Sequence, residues 1–559
     1  VTGTLLIAVW LLPLLLAPVA AGRAGPWLPA LAPLPALTAA LWLPAGSSLA
    51  VPWLLLGVEL GLDATGRTFL LFSAVLWLAA AVYARDMLRD DPLAGRFRVF
   101  YLSTMAGNLG LIVAQDMASF FTGYAVMGLA AYGLMVQRRS ATVRRAGRVY
   151  LAWTVAGEVA LFSAVVLLVA QVGGVGFPVL QGITPSQATV ALLVLAFGIK
   201  LALPGLHVWL PLAYPAAPPA GAAVLSGVLI NAGLLGWLRF LPPGDGALAP
   251  WGHALVAAGL TGTLYGVVVG LLQRGPKTVL AYSSISKTGI LTAGMGVALA
   301  VPEAAPALMT ALAVYAAHHA LVKAALFLGV GLPMDERSRP WVMAGLAFLA
   351  LALAGAPLTS GALAKATLTG ALPDEAVWLA GMLGATTVAT TLLMARFMRL
   401  ATKTRDVPPG AAQHPRLAWL SWLALLAAIA AFPLLVGGPR LALGGAVPVL
   451  LGALLAGAVL VWRPRAIGAL VGRIPPGDVL ALAEPVRHVL RDFLRHLRPT
   501  SQRIGRAPQK ALRRASDIAK GRGSPSWDPE ALLIRWPLAG TLWLALAGLL
   551  LLAVLALSQ

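Results

Sequence analysis

The sequence predicts an all-α, polytopic membrane protein of about 16 transmembrane helices, and three observations carry that expectation. Of its 559 residues, 59% are hydrophobic and 11% charged, with a mean hydropathy of +0.85. Its apolar runs last about 20 residues, enough to cross roughly 30 Å of hydrocarbon as helices. Those runs lack the alternating pattern of a membrane barrel, the other structure that satisfies its own backbone inside lipid.

In order, the expected spans are 5–21, 27–44, 66–84, 99–115, 117–136, 149–171, 187–210, 218–240, 251–272, 278–300, 304–330, 341–371, 376–395, 416–436, 443–462 and 536–557. The first, Leu5 to Ala21, has no basic residue before it and no small-residue cleavage site after it, and reads as a retained helix rather than a signal peptide. Basic connections follow alternate spans: Arg85 to Arg98, "QRRSATVRRAGR" (Gln137 to Arg148), Gln273 to Lys277, Asp335 to Pro340, Arg396 to Arg405, and Arg463 onward. The net charge of +21 therefore marks one side of a membrane and not a nucleic-acid partner. By the positive-inside rule that side is cytoplasmic, which expects an inner-membrane protein with both termini outside. The opposite loops, Leu241 to Pro250, Val301 to Pro306 and Leu372 to Ala376, are short and poor in Lys and Arg.

One stretch, Gly477 to Gly523, resists being a span. Between Arg463 and Arg535 there are fifteen basic and six acidic residues. Leu480, Leu482, Val486, Val489, Leu490, Phe493, Leu494 and Leu497 recur near helical spacing, with Arg487, Arg491, Arg495 and Arg498 between them. Two readings stand: a basic tail attracted to anionic lipid, or a long amphipathic helix along the flank of the bundle before the last span.

No cofactor or metal is expected on the chain. It has no cysteine, which excludes disulfides, thiolate zinc sites and Cys-ligated iron–sulfur clusters. Neither a Gly-rich phosphate loop nor a Ser/His/Asp order is present. Any redox cofactors would sit on other chains.

Two spans carry proline beside a lysine: "LAFGIKLALPGLHVWLP", with Lys200, Pro204 and Pro211, and "LALAGAPLTSGALAKATL", with Pro357 and Lys365. Proline interrupts the helix ladder, and interrupted helices at membrane depth are tolerated where they are buried or line a wet cavity. Such a pair points to two related halves and to transport. The ionisable residues inside spans are Glu158, Lys200, His207, Lys287, His318, His319, Lys323 and Lys365, with Asp116 near a span boundary. Carboxylate, amine and imidazole can each hold or release a proton, so the set suits a proton relay. His319 and Lys323 share a helix face. Blander roles stay open for three: His318 as a satisfied core residue, His207 as an interfacial anchor, and Lys287 as a lysine snorkelling to the interface.

Five motifs in order resemble the antiporter-like subunits of complex I, Mrp cation/proton antiporters, membrane-bound hydrogenases and inorganic-carbon uptake complexes. They are Arg96 to Leu134, "KLALPGLHVWLP" from Lys200, "PKTVLAYSSISKTG" from Pro276, "HALVKAALFL" from His319, and "GAPLTSGALAK" ending at Lys365. The resemblance covers about Asp63 to Arg399. It implies N-terminal spans at 1–98, two inverted five-helix repeats at 99–240 and 251–399, C-terminal spans at 416–462, a basic lateral helix at 463–535 and a final span at 536–559. It also implies proton passage through Lys200, His319, Lys323 and Lys365, coupled to neighbouring membrane subunits. Three positions depart from the family pattern. Ala125 stands where a glutamate is usual, Ser226 where a histidine is expected, and Lys287 where glutamine is common.

The expected function is a proton-translocating, antiporter-like subunit of a larger membrane complex, with Glu158 taking over the missing acid's role beside Lys200. The alternatives are a non-conducting structural anchor of such a complex, favoured by Ala125 and Ser226, a cation/proton antiporter subunit, and a self-contained solute transporter. The coupling ion and the identity of the complex are not legible in the chain.

Overall fold

A computed structural model describes residues 2–477, apart from 23–24, 53, 55–56, 138–139, 242, 244–245, 404–414, 437–444 and 463–469. The amphipathic segment and the last span expected beyond residue 477 lie outside the described residues.

The chain begins with α1 (Thr2–Ala20), α2 (Leu28–Leu31) and α3 (Leu34–Trp42), the last two divided at Pro33. An antiparallel hairpin follows, β1 (Ser47–Val51) against β2 (Val58–Leu62), with Ser47 opposite Leu62. Among the described residues this hairpin is a local departure from the all-α expectation in a mostly helical chain. Pro44 and Pro52 break up the stretch between helices, and alternate apolar residues Leu49, Val51, Val58, Leu60 and Leu62 suit a strand pair. Asp116 anchors the hairpin, its Oδ2 accepting the Glu59 N–H at 2.9 Å.

Next come α4 (Ala64–Met87), α5 (Ala94–Val113), α6 (Met117–Met135) and α7 (Ala141–Val172). Asp63, Asp116 and Ser140 cap α4, α6 and α7 through the N–H groups of Gly66, Ser119 and Val143. Both α5 and α7 start several residues before the expected spans at 99 and 149. Arg96, Arg98, Arg144, Arg145 and Arg148 therefore ride on helical turns and not in loops. The Ser140 cap, followed by Ala and Arg, good helix formers, accounts for the early start of α7.

Then follow α8 (Gln187–Leu201), α9 (Leu210–Ala216), α10 (Pro219–Val224) and α11 (Asn231–Phe240), with a π turn at Leu225–Leu229 between the last two. The second half runs α12 (Ala249–Leu271), α13 (Pro276–Ala300), α14 (Ala305–Val330), α15 (Arg339–Ala354), α16 (Ser360–Gly370) and α17 (Trp378–Ala401). α18 (Arg416–Val436) and α19 (Ala446–Trp462) complete the series. Among the described residues, nine helical stretches are long and apolar enough to cross a membrane, and four shorter apolar stretches accompany them. The chain is a multi-pass membrane protein.

Polar ties fasten helix ends. Arg239 of α11 donates to the carbonyls of Leu111 (3.3 Å), Ile112 (2.7 Å) and Ala114, closing the C-terminus of α5, and pairs with Asp63 at 3.6 Å. A cation at a helix C-terminus meets the negative end of its dipole. Asp86 accepts the Leu417 N–H at 2.7 Å, and Tyr83 and Trp422 donate to Leu328 O (3.0 Å) and Ala325 O (2.9 Å), joining α4, α14 and α18. Within the membrane, α12 and α13 approach backbone to backbone along glycines spaced by seven. A Cβ on Gly252 would stand 2.5 Å from Gly296 O, on Gly259 2.6 Å from Ala293 N, and on Gly266 2.6 Å from Ser286 N. Small residues allow this contact where apolar surface alone gives no drive to associate.

Gly259→Ala should therefore destabilise the bundle by about 1–3 kcal/mol, since overlap with backbone cannot relax. Thermal melting of the purified chain in detergent should show it. Gly381→Ala, where a Cβ meets nothing within 4 Å, should melt as the parent does.

Candidate functional site

Glu158 lies midway along α7 and is 8% exposed, while Lys200 occupies the last turn of α8. The helix stops just beyond the lysine because Ala202 turns left-handed (φ 59°) and Pro204 cannot extend the ladder. Ala202 N–H bonds back to Gly198 and Ile199, and Trp209 Nε1 donates to Ile199 O at 2.8 Å, so the broken end is sealed. The lysine is held at this break, facing α6 and α7.

Gly128 of α6 makes room for both charges. A Cβ built there would stand 2.6 Å from Glu158 Oε1 and 3.4 Å from Lys200 Nζ. The two heads flank one methyl-sized position, within reach of a bridging water. Glu158 Oε1 is buried and accepts no hydrogen bond among the described residues. Tyr150 Oη donates to Gly128 O at 2.8 Å, and Lys200 Nζ lies 4.8 Å from the centre of the Tyr124 ring, a cation–π contact. Ala125, where the family's acid would stand, is buried one turn before Gly128 on the same helix.

In the second half, Lys287 is buried and donates to Thr390 Oγ1 at 2.9 Å; it does not snorkel. Lys323 donates to Leu280 O at 2.6 Å and to Ser283 Oγ. Lys365 donates to Ala354 O at 2.6 Å, the end of broken helix α15, and to Thr387 Oγ1. His318 Nδ1 bonds Ser360 Oγ at 2.9 Å, at the start of α16, which is the satisfied core histidine of the blander reading. His319 is fully buried, and neither ring nitrogen has a hydrogen-bond partner among the described residues.

Between the halves, Gly227 in the π turn packs against α14, where a Cβ would meet Ala320 O at 2.8 Å, and Gly233 packs against Lys200 Cβ, 3.2 Å from the same kind of construction. Asn231 Oδ1, Ser286 Oγ and both His319 nitrogens are buried without hydrogen-bond partners among the described residues. Each such atom costs about 1–3 kcal/mol unless hydrated, so ordered water suits this region. Ser226 bonds its own helix, at Ala223 O (3.2 Å). His207 is buried and bonds Tyr265 Oη at 3.1 Å, not an interfacial anchor. Asp116 is consumed by capping and by the hairpin.

Sequence reasoning missed Gly128, Thr387, Thr390, Ser283 and Ser360. The run "TTVATT" was a usable signal, four hydroxyls recurring at helical spacing inside an apolar span. No group of three or more His, Asp or Glu among the described residues could hold a metal ion.

Residues 114–392 match the family described as NADH:quinone oxidoreductase/Mrp antiporter, TM. Hydrogenase-4 component B of Escherichia coli (strain K12) is 26% identical over 339 residues, which cover 56% of this chain and 50% of that protein. The chain thus spans about half the length of that relative. NADH-quinone oxidoreductase subunit N of Desulforudis audaxviator (strain MP104C) is 28% identical, covering 64% of this chain and 77% of that protein. The solved Mrp complex from Dietzia sp. DQ12-45-1b contains a chain that superposes with a TM-score of 0.69 at 21% identity, covering 95% of this chain and 66% of that one. That similarity shows a shared fold.

Gly128→Ala should wedge the Glu158 and Lys200 heads apart, since a Cβ there stands 2.6 Å from Glu158 Oε1; a structure of the variant with both side chains unmoved would show that Gly128 does not set their spacing.

Proposed function

Because residues 114–392 belong to the NADH:quinone oxidoreductase/Mrp antiporter transmembrane family, we propose that this antiporter-like membrane subunit translocates protons within a larger membrane complex. The observation that carries the reading is the placement of Glu158 Oε1 and Lys200 Nζ on either side of Gly128. An acid near a buried lysine holds its charge; drawing that charge away frees the proton. Glu158 thereby serves in place of the acid absent at Ala125.

From Lys200 the proposed route runs past the π turn to His319 and Lys323, then to Lys287 and out through Lys365. The unpartnered atoms of Asn231, Ser286 and His319 support a hydrated passage between the halves. His207, His318 and Ser226 lie beside this route, each engaged by a neighbour. Breaks beside Lys200 and at Gly355 (φ 88°), before Lys365, support two inverted repeats at 99–240 and 251–399. The sequence pattern supports about 16 spans with the basic connections facing the cytoplasm and both termini outside; the last of those spans, 536–557, lies outside the described residues. The driving reaction belongs to partner subunits. Relatives named as hydrogenase, NADH-quinone oxidoreductase and Mrp components support such an assembly.

The rival reading, a structural anchor, is favoured by Ala125 and Ser226. Proton flux through liposomes separates the two. Lys200→Ala and Lys365→Ala should each lower flux at least about tenfold, as expected when a buried charged hydrogen-bonding group is lost. An anchor would show no dependence on either lysine.

A further inference from the structure

The second half of the chain holds five bases at membrane depth, Lys287, His318, His319, Lys323 and Lys365, four of them on the proposed route, and none of the five pairs with a carboxylate among the described residues. Two of the amines converge instead on one helix. Lys287, from α13, donates to Thr390 Oγ1 at 2.9 Å, and Lys365, from α16, donates to Thr387 Oγ1. The two threonines sit three residues apart on α17, so their hydroxyls share a face about one turn apart. Both are buried, at 2% and 1% exposure. Each hydroxyl is also tied down, Thr387 to Leu383 O at 3.1 Å and Thr390 to Thr386 O at 2.6 Å, which turns its lone pairs toward the lysine.

We propose that Thr387 and Thr390 are positioning residues that dock Lys365 and Lys287 side by side along α17 for proton transfer between them. The proposal rests on the proton-relay reading above. A carboxylate beside an amine favours the ammonium and holds the proton there. A hydroxyl is neutral: it accepts from an ammonium and, after rotating, donates to a free amine, so it keeps the nitrogen in place in both states. In the transfer an N–H bond breaks at one lysine and one forms at the other. Any hydroxyl or water between them gains one proton as it gives one up, so the pair ends with the same number of protons. The carbonyl of Ala354, at the negative end of α15, helps hold the Lys365 ammonium. The two halves thus differ in kind, with an acid beside the lysine in the first and hydroxyls beside the lysines in the second.

The test uses the full chain in liposomes, with proton flux read by an internal pH dye and detergent melting read in parallel. Thr→Val keeps the shape and removes the hydroxyl. The double variant Thr387→Val/Thr390→Val should lose flux at least about tenfold, the size expected for a hydrogen bond to a charged group, while melting as the parent does. Thr387→Ser/Thr390→Ser should recover flux to within about twofold. Thr391→Val, whose hydroxyl bonds Thr387 O of its own helix at 2.8 Å, should leave flux unchanged. Parental flux in the valine double variant, with Lys287→Ala and Lys365→Ala both inactive, overturns the role of the threonines and leaves the relay standing. Failure of the serine variant to recover flux overturns it as well. Parental flux in both lysine variants overturns the relay and this inference together.

Discussion

A charge buried at membrane depth has to be met by protein, because hydrocarbon offers neither hydrogen bonds nor counter-ions, and insertion scales put the cost at about 2.5–3.5 kcal/mol per unmet group. Among the described residues the membrane-spanning helices bury Glu158, Lys200, Lys287, Lys323, His318 and His319 and partly bury Lys365, and much of the irregular architecture is the means of meeting them. Helix α8 stops just past Lys200, and α15 stops just short of the space that Lys365 fills. At the second break the exposed helix end is itself the partner, since Ala354 O accepts from Lys365. Regular helices would have left neither a free carbonyl nor room for the amine.

The same constraint explains where glycine and hydroxyl residues stand. Gly128 leaves the gap that Glu158 and Lys200 flank, and any side chain there would displace one of them. Ser283, Thr387 and Thr390 supply acceptors for Lys323, Lys365 and Lys287 from neighbouring helices. Small residues also set the packing of a separate pair of helices, α12 and α13, which touch backbone to backbone along their glycine seam.

Much of this was legible in the sequence, for physical reasons that differ by element. Apolar run length located most of the long helices, since lipid thickness fixes span length whatever the tertiary contacts, but the expected spans 27–44, 187–210, 218–240 and 341–371 are each divided in the structure. Pro204 and Pro357 marked both breaks, and charge in an apolar context marked Glu158, Lys200 and Lys365. What escaped was set by contacts between elements. The hairpin at Ser47–Leu62 depends on Asp116, far along the chain. The early start of α7 depends on a cap at Ser140, a signal that hydropathy ignores. Lys287 looked free to snorkel until α17 placed Thr390 against it. Gly128 carries no chemistry of its own, and its role is visible only once α6, α7 and α8 are assembled.

The central claim is that Glu158, from α7, performs for Lys200 the service that an acid at position 125 would perform from α6. Moving the acid tests it most directly. Proton flux in liposomes should fall in Glu158→Gln and return in the double variant Ala125→Glu/Glu158→Gln, because both positions lie beside the space at Gly128. Parental flux in Glu158→Gln alone would contradict the account.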